Sequence, residues 1–116
     1  MSPREARAAA DARFAVAELA FERFLRHRYT SARDFLLLSC PIRGWNRQRR
    51  CRERAVSRFT NYLEHKTGLL QRARQLYERL RHGASPWANA AAARIAQLYH
   101  RLADELHRTR VPRAPV

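Results

Sequence analysis

Seven arginines and one glutamate fall between Arg43 and Arg58, a stretch of sixteen residues reading RGWNRQRRCRERAVSR. A guanidinium is planar, permanently charged and carries five N–H donors, so its chemistry is recognition of oxyanions, phosphate above all, rather than transfer of protons or groups. Such crowding is self-repulsive in a folded domain and is relieved by a polyanion. The stretch therefore points to a class of partner and not to a reaction.

At helical periodicity the run divides in two. Arg47, Arg50, Arg54 and Arg58 share an arc of roughly 80°, with Val56, Phe59 and Leu63 expected on the buried far side. Arg49 and Arg52 leave that stripe, so the first turns carry charge nearly all round and are expected to project past any dry core, where an unpartnered guanidinium would be costly. Trp45, beside Gly44 at the mouth of this helix, is either a stacking residue or a packing anchor for the turn. Arg72, Arg79, Arg94 and Arg101, further along the chain, are candidates for secondary phosphate contacts.

The elements that must position these side chains are helices. Glycine is scarce at three in 116 residues and alanine is abundant, which favours an all-α fold. The pattern predicts a compact bundle of about four to five helices over residues 1–108, with 109–116 a disordered tail. Ser2-Pro3-Arg4-Glu5 has the capping serine, the proline at the first helical position and the glutamate three residues after the cap of a helix start. The first helix follows to about His27, with Ala6, Ala10, Phe14, Ala17, Phe21, Phe24 and Leu25 on one face and Ala12, Val16 and Leu19 on another. Ser31 and Asp34 open a short second helix that Pro41 ends. Gly68 is expected to break or bend the helix that begins at Trp45, and Leu69, Ala73, Leu76, Tyr77 and Leu80 then form the face of a fourth. Ser85-Pro86 opens the last helix, whose stripe runs through Ala88, Ala91, Ala92, Ile95, Leu98, Tyr99, Leu102 and Leu106.

Twenty-four basic against ten acidic residues give a net charge of +14, and the basic set is 23 arginines with a single lysine, Lys66. Net charge is +2 over residues 1–40, +9 over 41–83 and +3 over 84–116, so the excess is concentrated in the middle. The longest apolar run, Phe35 to Leu38, is far too short to span a membrane. The two cysteines, Cys40 and Cys51, lack metal or redox spacing and are expected to be reduced, in keeping with a cytoplasmic protein. There is no phosphate-binding glycine loop, no HExxH and no cysteine–histidine pairing at a recognisable spacing. His27, His65, His82, His100 and His107 are scattered as surface or bundle-edge residues. No catalytic group, metal or cofactor is expected.

In size, helical pattern, basic charge and lack of catalytic motif, centred on the Arg43 to Arg58 stretch, the chain resembles the small helical subunits of CRISPR effector complexes. That resemblance implies a non-catalytic subunit holding RNA or single-stranded DNA by its backbone, beside larger protein subunits and in several copies stacked head to tail. Two other readings stand beside it. Residues 31–40, 41–44 and 45 onward could form a helix-turn-helix regulator that presents Arg47, Gln48 and Arg50 to duplex DNA. Alternatively, an arginine-rich assembly protein would dock on an acidic protein or a ribosomal particle.

Overall fold

The computed structural model describes residues 2–28, 45–83 and 85–108, with only the backbone for Trp45. Among them are three helices and no strand: α1 Pro3–Arg26, α2 Trp45–Arg81 and α3 Ala88–Arg108. The expected helix at 31–40, the turn at 41–44 with Arg43, and the tail at 109–116 lie outside the described residues.

The start of α1 follows its sequence signal. The Ser2 hydroxyl accepts from the Glu5 amide at 3.2 Å, the Ser2 carbonyl accepts from the Ala6 amide at 3.0 Å, and Pro3 takes the first helical position, where an N–H would be unsatisfied anyway. Ser85 works differently. Its hydroxyl accepts from the Trp87 amide at 3.1 Å in a turn over Pro86 and Trp87, and helix begins only at Ala88.

α2 is one helix of 37 residues, which corrects the expected break at Gly68 and merges two expected helices. Gly68 is exposed, and a methyl group built on it would meet nothing within 4 Å. It adopts helical geometry because its neighbours on the buried side are held by packing. That packing outweighs a propensity cost of about 1 kcal/mol. Both Leu70 and Ala73, immediately after it, belong to the core.

The helices run up, down and up. α1 and α3 each pack against α2 and meet one another little. The core is Ala17, Phe21 and Phe24 from α1, Leu70, Ala73, Tyr77 and Leu80 from α2, and Ala91, Ile95 and Leu98 from α3. Every α2 member lies in its C-terminal half. Glu18 binds this end together: it accepts from the Tyr77 hydroxyl at 2.6 Å and takes both Arg94 Nε (2.8 Å) and an Arg94 terminal nitrogen (2.9 Å), so one carboxylate joins all three helices. Phe14 stacks on Trp87 at 4.2 Å, and the Trp87 indole donates to Asp11 at 2.7 Å, which closes the far end.

The pairings Glu18 with Tyr77 and Phe24 with Lys66 place the end of α1 level with residues 62–66 of α2. About 17 residues of α2, roughly 25 Å at 1.5 Å per residue, therefore extend beyond α1 and α3. The molecule is accordingly long, with extents of 70 × 18 × 18 Å. Its radius of gyration of 19.6 Å compares with about 13 Å for a compact domain of this length, so the expected compactness is corrected. That α2 outruns α1 and α3 was expected from the arginines; that one side of its first turns is buried was not. Val56 is 49% exposed and Phe59 and Leu63 are half-buried, whereas Cys51, Ala55 and Tyr62 form the buried edge. Cys51 is tied in a disulfide, against the expectation of a reduced thiol; the chain's other cysteine, Cys40, lies outside the described residues. Tyr99 was expected in the core but is exposed, and its hydroxyl accepts from Arg74 at 2.6 Å.

Candidate nucleic-acid interface

Arg47, Arg49, Arg50, Arg52, Arg54 and Arg58 are all exposed on the projecting half of α2. Arg47, Arg50, Arg54 and Arg58 follow one line at intervals of three and four residues, adjacent to the buried edge rather than opposite it. Because α2 passes straight through Gly68, the same 3.6-residue period carries this line into the C-terminal half, where it meets Arg72 and Arg79, also exposed. Arg47 to Arg79 spans about 48 Å along the helix. Residues separated by a bend would not be collinear, so the unbroken backbone joins the primary and secondary candidates into a single feature.

The acidic residues of α2 avoid this line. Glu53, Glu64 and Glu78 fall on a different side of the helix, and they divide the arginines into two sets. Arg49 pairs with Glu53 at 3.2 Å; Arg74 and Arg81 flank Glu78 at 3.8 and 3.4 Å. Among the described residues Arg47, Arg50, Arg54, Arg72 and Arg79 have no ion-pair partner. A row of solvated guanidinium groups without acids between them keeps its positive potential, which is what a phosphate backbone requires.

The two candidates on α3 differ from these. Arg94 is bidentate to Glu18, lies over the Phe21 ring at 4.7 Å and bonds Gln97 at 2.8 Å, so its charge is spent inside the bundle. Arg101 is exposed and lines an open groove of about 680 Å³ between α1 and α3. Glu18, Glu22 and Asp104 share that groove with Arg94 and Arg101, so its signs are mixed and it is a poor anion site. The side chain of Trp45 and the whole of Arg43 lie outside the described residues.

Sequence reasoning missed the most unusual charge in the molecule. Lys66, the single lysine beside 23 arginines, is 1% exposed. Its ammonium donates to the Phe24 carbonyl, to the His27 carbonyl at 2.6 Å and to Glu105 at 3.0 Å, and sits 4.0 Å from the centre of the Phe24 ring. Three N–H donors thus meet three acceptors: two carbonyls left over at the C-terminus of α1 and a carboxylate from α3. A compact ammonium makes three divergent bonds in a space where a planar guanidinium fork could not. Burial lowers the Lys66 pKa, while the bond and charge of Glu105 act the other way. His27 and Tyr62 stack nearby at 5.3 Å, with His65 at 4.3 Å from His27. Burial, then the charges of His65 and Lys66, hold the His27 pKa below its ordinary value. The only hint in the sequence was the residue type itself, one lysine where arginine is used everywhere else.

No group of three or more metal-ligating side chains occurs among the described residues, and no helix there is long and apolar enough to cross a membrane. No family model, curated protein or solved structure matches the chain.

Proposed function

We propose that this chain is a non-catalytic subunit that holds the sugar–phosphate backbone of RNA or single-stranded DNA along α2, within a larger ribonucleoprotein of the CRISPR-effector kind. The observation that carries the reading is the exposed line of Arg47, Arg50, Arg54, Arg58, Arg72 and Arg79 on one uninterrupted helix whose own acidic residues lie on another side. Its members are spaced by about one turn in the projecting half and two turns in the other, so they follow a strand by its phosphates and read no bases. Arg49 and Arg52 flank the line at the projecting end, where Trp45 and Arg43 also belong in sequence and where any selectivity would arise.

The test is binding of a random single strand and a random duplex at several salt concentrations. With five to seven phosphates engaged, the logarithm of affinity should fall against the logarithm of salt with a slope of about −4 to −6, and affinity near physiological salt should lie at roughly 10⁻⁴ to 10⁻⁶ M. Such weak binding requires recruitment by partner proteins. Replacing Arg47, Arg50 and Arg54 with glutamine should lower the slope by about two to three and leave helicity unchanged. Absence of binding at low salt would defeat the proposal, and strong preference for one duplex sequence would favour the helix-turn-helix reading instead.

A further inference from the structure

The outer face of α1 is apolar and uncovered. Ala10, Ala17, Phe21 and Phe24 turn inward, whereas Ala8, Ala12, Ala15, Val16 and Leu19 are exposed, Val16 by 49% and Leu19 by 59%. Ala8, Ala12, Ala15 and Leu19 recur at intervals of four, three and four, the spacing of a helix–helix seam. α1 is also nearly neutral, with five arginines against four acidic residues in a chain of net charge +14. Only α3, with three arginines against two acidic residues, is as near to neutral, so two copies can approach on α1 with little repulsion.

We propose that this face joins two copies of the chain in an antiparallel dimer whose two-fold axis passes between Ala12 and Ala15. The pattern is self-complementary about that point. Residue 8 then lies opposite residue 19 of the second copy, and 12 opposite 15, so alanine at one end receives leucine from the other. That register levels residues 4 and 5 with residues 23 and 22, and because positions eighteen apart share one side of a helix, Arg4 lies on the same flank as Glu22 and Glu5 on the same flank as Arg23, each pair about 1.5 Å off level. In an antiparallel two-fold arrangement residues on the same flank face each other, so both flanks match in sign, and every contact occurs twice. Small side chains at the centre allow a close approach of the axes, near the 8 Å end of the usual range. The seam faces away from α2, so the arginine lines of both copies stay outside it. Closed two-fold pairing differs from open head-to-tail stacking, and it stands independently of the nucleic-acid proposal.

Sedimentation equilibrium of the full chain, freed of nucleic acid, tests it. A concentration-dependent monomer–dimer equilibrium is expected. Arg4→Glu and Glu22→Arg each place like charges opposite one another at two symmetric positions, and each alone should weaken the dimer about tenfold. Both changes suit the helix dipole, so folding is preserved, as circular dichroism would verify. The double variant R4E/E22R restores opposite signs and should return the affinity to within about threefold of the original. Leu19→Lys should leave a monomer. A chain that stays monomeric at all concentrations would overturn the proposal, as would open assemblies larger than a dimer. Failure of the double variant to recover would overturn the register. A monomer whose α1 outer face is protected from hydrogen exchange would mean that another segment of the same chain covers it, which also overturns the proposal.

Discussion

Replacing Lys66 with methionine keeps most of the side-chain volume and removes the ammonium that three acceptors share. What remains is two carbonyls at the end of α1 and a Glu105 carboxylate whose side chain is 17% exposed, none with its former donor. Removing one partner of a buried pair typically costs about 3–5 kcal/mol. Glu105 keeps some access to water, so the lower end applies, about 3 kcal/mol. That is a large fraction of the 5–15 kcal/mol by which domains are typically stable. At about 4 °C per kcal/mol for a domain of this size, the thermal midpoint should fall by roughly 12 °C. Lys66→Arg should also destabilise, since the fork cannot reproduce three divergent bonds. The double variant K66M/E105L removes both charges and should recover more than half of the loss. Thermal and urea unfolding followed by circular dichroism measure all three. A fall of less than about 3 °C for Lys66→Met would refute the assignment of Lys66 as the fastener of the three helices. A double variant no better than the single one would show that the carbonyl caps, and not the ion pair, carry the effect.

Other expected outcomes concern the rest of the bundle. Gly68→Ala should stabilise the chain by about 0.5–1 kcal/mol in urea unfolding, because the position is helical, exposed and open to a methyl group; destabilisation would mean that α2 bends there in solution. Glu18→Ala should cost about 2–3 kcal/mol, since it leaves the buried Tyr77 hydroxyl and the Arg94 guanidinium without their shared acceptor; Arg94→Ala in the same background should then add little. The pKa of His27 is lowered from 6.5, so the unfolded chain binds this proton at a higher pH than the folded one. The associated stability is present above pH 6.5 and is lost as pH falls through the folded value. Unfolding midpoints measured from pH 8 to pH 5 should decline on the acid side, and His27→Gln should flatten the decline.

The helical character, the start of α1 at the Ser2 cap and the apolar stripe of α3 through Ala91, Ile95 and Leu98 were legible in the sequence. They depend on interactions within a few residues of each other, and the amino-acid types state those directly. The exposure of Arg47, Arg50, Arg54 and Arg58 was legible for a related reason: burying so many guanidinium groups together would be costly, so they stay at the surface.

Tertiary packing decided the rest. Whether Gly68 ends a helix is a contest between a propensity of about 1 kcal/mol and the burial of Leu70 and Ala73 beyond it, and the burial wins. That outcome aligns Arg72 and Arg79 with the first four arginines and makes one long line out of two short ones. Arg94 and Arg72 look alike as residues in a chain, yet only Arg94 has a Glu18 brought to it by another helix. Lys66 is the sharpest case. Apart from its residue type nothing local distinguishes it from the solvated arginines around it, and its burial follows from Phe24 and His27 ending one helix where Glu105 arrives on another. Charge density could name the kind of partner, since that is a sum over residues. Which charges remain available to the partner depends on distances between residues far apart in the chain, and only the folded arrangement sets those.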